Sequence, residues 1–243
     1  MLLLRTTSYR LLAPRSTLQQ SVYPSSYKTF ITSTNLKMPE PLKASDVNSQ
    51  IDPSVAKQWD DETPKKQQIE EFYKTVDGMK IGLLTTIRSG LGPVSRSMAV
   101  AKRDGPDFLF LANKHSNKFT DLANNKQAQV TFQNSSSQDW VSITGVCATS
   151  SNDDPRIKEL YSKGTAAWFG DLGDGTHNGT AEDPRMALIE VKAKYISYWK
   201  STVSSLGFVK EVAQASFTGQ VANTGVQRQF VQEDIEAMRK TPS

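Results

Sequence analysis

Between residues 81 and 200 the chain alternates short β-patterned runs with turns and brief helical patterns, and this most constrains its fold. IGLLTTI at 81–87 is continuously apolar and reads as a buried strand. In 94–101, Val94, Arg96, Met98 and Val100 alternate with small Ser95, Ser97, Ala99 and Ala101, a period-2 pattern. The Asp104-Gly105 turn then leads into a strand at 107–112, predicting a hairpin. Further strands are expected near 128–134 and 140–149, and ALIEVK and YISYWK supply two last strands. Three helices accompany them. One spans about 63–77, with Thr63 as cap, Pro64 at the first position, a stripe of Ile69, Phe72, Tyr73 and Val76, and Gly78 as stop. A short one starts at Ser116 with Phe119, Leu122 and Ala123 on one side, and another follows Asp153-Asp154-Pro155. Seven short strands with short helices between them suit a small barrel rather than a βαβ sheet.

The flanks read differently. Residues 1–37 carry Arg5, Arg10, Arg15, Lys28 and Lys37 and no acid, whereas the remaining chain has 24 basic and 25 acidic side chains. The basic pI thus belongs to the N-terminal extension, and the near-neutral body lacks the cationic face that nucleic acid requires. The extension has the composition of a mitochondrial presequence, while Met38 opens a more ordinary cytosolic start; both locations, cytoplasmic and mitochondrial, stay open. Residues 38–62 read as a flexible linker, 63–201 as the folded domain, and 202–243 as a polar C-terminal tail with weak helical character at 226–240. No apolar run approaches the roughly 20 residues of a membrane helix.

Several chemistries find no support in the sequence. There is no G-x-S-x-G nucleophile motif, and Gly173, Gly175 and Gly179 miss the dinucleotide spacing. Asp171 and Asp174 do not repeat at calcium-loop spacing. Cys147, the single cysteine, excludes an internal disulfide, sits in a strand pattern and reads as inert packing; His115 reads as a surface residue. No Cys/His pair has zinc-ligand spacing.

The positive signal is Arg96 on one strand, followed by Asn113-Lys114-His115-Ser116-Asn117-Lys118 entering a helix. A phosphate monoester carries nearly two negative charges. Arg offers it a planar donor fork, Lys a point charge, Ser a hydroxyl and the helix start free amides. Charge-assisted hydrogen bonds at roughly 1.5–3 kcal/mol each would together give about 4–6 kcal/mol. The same residues also occur as solvated surface charges, so taken alone the set leaves both readings open.

Taken together, IGLLTT (81–86), SRSMAV (95–100), FLFLANKHSNKFTDLANN (108–125), VTFQ (130–133), WVSITG (140–145), AAWF (166–169) and DPRMALIEV (183–191) resemble the FMN-binding split barrels of the pyridoxamine 5'-phosphate oxidase-like superfamily. The likeness is to the general-stress-protein branch, including its fungal blue-light-induced proteins, and covers about 70–200 in order. It implies a mainly β (α+β) fold, an antiparallel split β-barrel with short peripheral helices. It also implies a homodimer with flavin mononucleotide (FMN) at the subunit interface. By this resemblance Arg96, Ser116 and Lys118 bind the flavin phosphate, Ser97, Met98 and Ala99 line the ring, and Leu111, Ala112 and Asn113 lie beneath it. Trp140 and Trp168 are the candidate aromatic contacts, and Trp199 is expected in the core. The chain departs from the oxidases proper at Ala112, where they carry Thr, and at Asn117, where they carry a second base. It also has no counterpart of their C-terminal Arg-Leu segment, so vitamin B6 oxidation is not expected. The resemblance implies a flavin-dependent oxidoreductase on a small molecule, with no membrane or nucleic-acid partner. The alternatives are a flavin-binding stress or sensory module with little turnover, and a barrel that has exchanged its cofactor for haem or a deazaflavin.

Overall fold

The computed structural model describes residue 43, residues 46–47 and residues 52–241, all within the compact unit Glu40–Ser243. The expectations for the basic extension at 1–37 lie outside the described residues. In chain order the elements are α1 (Pro53–Gln58), α2 (Lys65–Met79), β1 (Ile81–Arg88), β2 (Gly92–Ala99), β3 (Lys102–Asp104), β4 (Asp107–Asn113) and α3 (Asn117–Asn124). They continue with β5 (Gln127–Gln133), β6 (Trp140–Ser150), α4 (Arg156–Leu160), α5 (Lys163–Ala166), β7 (Met186–Ser201), α6 (Ser205–Thr218), β8 (Gly225–Phe230) and α7 (Gln232–Lys240).

Every strand pairing is antiparallel, in the order β2-β1-β5-β6-β7-β4-β3, with β8 added to β7. The two ends of this order are neighbours in sequence. Only Val100 and Ala101 separate β2 from β3; the Val100 amide donates to the Lys80 carbonyl at 2.9 Å and the Ala101 amide to the Leu109 carbonyl at 2.8 Å. One continuous passage thus joins the β1 edge to the β4 edge and closes the sheet, as a barrel requires. Gly105, at a φ of 57°, makes the turn between β3 and β4, so the hairpin partner of β4 is this three-residue strand rather than 94–101.

Inward side chains such as Leu84, Phe110, Val130, Ile143, Ile189 and Val191 fill the interior and are fully buried. The stripe of α2 covers one side. Phe72, with no exposure, meets Tyr198 and Phe230 at ring-centroid distances of 6.0 and 5.7 Å. Burying such a ring contributes about 2–3 kcal/mol, which the short, polar-faced helix needs.

The structure corrects several sequence expectations. β1 is not buried on both faces: Leu84 and Thr86 are, but Ile81 is 60% and Leu83 46% exposed. A barrel strand has an inside and an outside, and a continuous apolar run conceals which is which. Gly78 lies within α2, which ends at Met79 with Lys80 left-handed, and Thr63 bonds Asp60 rather than capping the helix. On α3 it is Asp121 that is buried beside Leu122, while Ala123 is exposed. ALIEVK and YISYWK are one 16-residue strand, carried past Lys194 by a register shift opposite Thr144 and Gly145. A side chain at Gly145 would collide with the Lys192 carbonyl, so glycine permits the close approach there. The linker expected at 38–62 contains α1, and the tail expected beyond 201 contains α6, a paired strand and the docked α7.

Candidate functional site

β1 and β2 run in register with Leu84 opposite Arg96, and the strand period puts Leu84, Thr86 and Arg88 on the face from which Arg96 also projects. The Arg96 Nη1 donates to the Leu84 carbonyl at 3.2 Å and to Thr86 Oγ1 at 2.7 Å; its Nη2 donates to Asp121 Oδ2 at 3.3 Å. Asp121 comes from α3 and is 4% exposed. It also accepts from Thr86 Oγ1 at 2.8 Å and from Arg88 Nε and Nη2 at 3.0 and 3.2 Å.

The approach to α3 is shaped by Asn113, the last residue of β4. Its side-chain oxygen accepts the His115 amide at 2.9 Å, and its carbonyl accepts the Ser116 hydroxyl at 2.6 Å. Ser116 occupies the cap position with extended backbone but makes no side-chain cap bond to the helix. The first amides of a helix have no intrahelical acceptor, so this end favours an anion. Lys118, half-buried, donates to Ser116 Oγ at 2.7 Å and has no carboxylate partner among the described residues.

Two arginines therefore share one acid, and a third cation, Lys118, has none. The consequence is visible in their proton affinities. Burial, and then the facing charge of Arg96, hold the Lys118 ammonium below the ordinary lysine range. Burial, outweighing the pull of Asp121 and helped by repulsion from Arg88, holds the Arg96 guanidinium below its ordinary range too. Asp121 moves the other way: the hydrogen bonds from Arg88, then those from Thr86 and the charge of Arg96, keep it ionised below the ordinary carboxylate range. The end of the barrel thus carries a net charge of about +2 with donors left over.

Of the expected site residues, Arg96, Asn113, Ser116 and Lys118 are gathered here. Met98 follows Arg96 inward and packs on the core, while Ser97 and Ala99 are exposed on the outer face, paired with Leu83 and Ile81. Ala112 is buried in the main core and Leu111 packs against the second apolar cluster, on the opposite face of β4. Trp140 is elsewhere, in a cleft of about 380 Å³ with Trp199, Phe208, Gln58, Gln133 and Gln227. Trp168 is 86% exposed just after α5. Trp140 pairs with Gln133, at the opposite end of β5 from Ala128, which pairs with Thr86, so the single chain holds it away from the cationic cluster. Cys147 is buried and its thiol is pushed up to about 12 by burial, so it is protonated at neutral pH. Among the described residues no helix is long and apolar enough to cross a membrane.

Sequence reasoning missed Thr86, Arg88 and Asp121. A signal existed: Thr86 and Arg88 continue the period-2 face of Leu84, and Asp121 lies one helical turn beyond Lys118.

A closed antiparallel barrel with a cationic strand–helix junction defines a class, and the chain belongs to it: the pyridoxamine 5'-phosphate oxidase like family, whose profile matches residues 67–223. Protein bli-3 of Neurospora crassa is 34% identical over 197 residues, 80% of this chain and 94% of that protein. Among solved structures, a protein related to general stress protein 26 from Clostridium acetobutylicum superposes with a TM-score of 0.51. It is 16% identical and covers 71% of this chain and 99% of its own; at that identity the likeness concerns the fold. General stress protein 26 of Bacillus anthracis gives 0.46 at 22% identity over 54% of this chain and 93% of its own.

Proposed function

We propose that this chain binds FMN, with the flavin phosphate held by Arg96, Lys118 and the Ser116 start of α3, and acts as a flavin-dependent oxidoreductase on a small molecule. The observation that carries the reading is the cationic surplus at the barrel end, where half-buried Lys118 and Arg96 repel one another, one acid serves two arginines and Lys118 has no carboxylate partner among the described residues. A phosphate dianion supplies the missing charge. The bound flavin would carry the electrons; the protein's part is to grip, orient and shield it. Ser97 and Ala99 offer the ring an exposed strand surface beside Leu83 and Ile81.

The cofactor site is completed, in this reading, by a second copy of the chain. Ile81 and Leu83 on the outer face of β1, and Trp168, are large apolar residues left uncovered by the single chain. Trp140 and Trp168 then reach the flavin of the partner copy rather than their own. Sedimentation of the purified protein should give a dimer that Leu83→Glu dissociates; a wild-type monomer with bound flavin would sink the interface.

One observation favours the second reading, a flavin-binding stress or sensory module with little turnover. The C-terminal segment is pinned at the Asp107 end of β4 by Arg239, whose Nε and Nη2 each reach the Asp107 carboxylate at 2.8 Å. Asn113 lies six residues further along, about 20 Å at the usual strand rise. The absorption spectrum and an FMN titration test the cofactor. Anaerobic mixing of the loaded protein with NADH or NADPH then separates the readings. Reduction followed by turnover above the free-FMN rate supports the enzyme, and its absence supports the module. A protein that stays colourless with excess FMN refutes both.

A further inference from the structure

We propose that Asp121 and Thr86 are positioning residues for the phosphate site, aiming one edge of the Arg96 guanidinium at the ligand. The proposal rests on the FMN-binding reading. A guanidinium has five N–H groups on three edges. In Arg96, Nη1 is committed to the Leu84 carbonyl and to Thr86 Oγ1, and Nη2 gives one bond to Asp121 Oδ2. Thr86 Oγ1 and Asp121 Oδ2 are themselves only 2.8 Å apart, joined by a hydrogen bond, and form one acceptor fork beneath Nη1 and Nη2. That leaves the Nε–H and one Nη2–H without an acceptor among the described residues. These two lie on the same edge of the planar group, the edge suited to bidentate phosphate. Arg88 contributes from behind, its Nε and Nη2 clamping both oxygens of Asp121 so that the carboxylate cannot swing. Thr86 is fully buried and Asp121 nearly so, which fixes the acceptor fork in the barrel wall.

Charge and geometry predict opposite outcomes for one substitution, which makes the proposal decidable. Removing the Asp121 charge raises the local net charge from about +2 to about +3. If the acid were merely a counter-ion, Asp121→Asn would tighten FMN binding. If it positions Arg96, Asp121→Asn weakens binding by about tenfold or more, the loss of one charge-assisted hydrogen bond. The experiment is an FMN titration by flavin fluorescence, beginning with the wild-type protein. A wild type that binds no FMN defeats the functional reading itself, before any variant is compared. Thr86→Val removes the hydroxyl without changing charge or much volume, and is expected to weaken FMN binding about five- to tenfold while leaving its salt dependence unchanged. Thr86→Ser keeps the hydroxyl and should restore wild-type affinity, which a general packing role would not predict. Should Asp121→Asn fail to fold by circular dichroism, the Thr86 pair decides alone. Folded Asp121→Asn binding as tightly as wild type, or Thr86→Val with unaltered affinity, overturns the proposal while leaving the FMN reading intact.

Discussion

Two arginine clusters in this molecule use the same chemistry with different stoichiometry. Arg228 on β8 is 5% exposed and gives Nε to Asp60 at 2.7 Å, Nη1 to Glu71 at 2.6 Å and to the Tyr198 hydroxyl at 3.3 Å, and Nη2 to Thr63 at 3.3 Å. Two acids serve one base, with Lys200 nearby at 3.9 Å from Glu71. Arg96 shares one acid with Arg88 and faces a third, unpaired cation, Lys118. Their proton affinities part accordingly. Burial works against charge in both, but the bonds Arg228 donates to Tyr198, Glu71 and Asp60 raise it above its ordinary range, whereas Arg96 falls below it. A saturated guanidinium is a staple between elements; an undersaturated one is, in the proposed reading, a socket for a ligand.

The largest expected effect tests the socket. Arg96→Ala with Lys118→Ala should lower FMN affinity by about 4 kcal/mol, roughly a thousandfold, in a fluorescence titration. Unchanged affinity would make both clusters staples. The staple comes next. Arg228→Met leaves Glu71 and Asp60 beside an uncharged chain and should cost about 3 kcal/mol in urea unfolding, with FMN affinity per folded molecule unaltered. Loss of cofactor without loss of stability would reverse the assignment. A smaller effect concerns salt. FMN binding should weaken as ionic strength rises, while the enclosed Arg228 cluster keeps its contribution to the unfolding midpoint.

The smallest effect is a matter of sign. Because folding depresses the Lys118 proton affinity, the unfolded chain binds more protons between the depressed value and the ordinary 10.5. Stability of the flavin-free protein from this group therefore rises with pH across that window, and below it the full penalty is present. Lys118→Met should abolish this rise and raise the neutral-pH stability by ~0.5 kcal/mol, seen as a higher melting midpoint. A thermal-melt series from pH 7 to 10.5 checks it; a midpoint lowered by the substitution would count against an unpaired, repelled ammonium.

Period and punctuation made most of the barrel legible. β2 alternates, and Asp104-Gly105 marks the turn into β4, although its other arm is the short β3. What failed did so for physical reasons. β8, GVQRQF, reads as polar tail because Arg228 and Gln229 are buried polar residues, tolerated there by partners 30 to 170 residues distant that no local pattern displays. β7 reads as two strands because a register shift carries it past Lys194. In the site, Arg96, Ser116 and Lys118 were legible by residue type. Asp121 was not, since an acid has the wrong sign for an anion site until its hydrogen bonds to Arg96 and Arg88 are seen.

The residues before α2 acquire a purpose from β8. One side of β8 lies on β7, and the outer side meets the chain at Trp59, which forms a parallel bridge with Gln227, while the Asp60 amide donates to the Gln227 carbonyl at 3.0 Å. Unpaired strand borders invite other chains to add on. Residues 52–62 thus lie as a selvedge on the woven sheet, and a protein trimmed to residue 63 should associate side by side in sedimentation where the full chain does not.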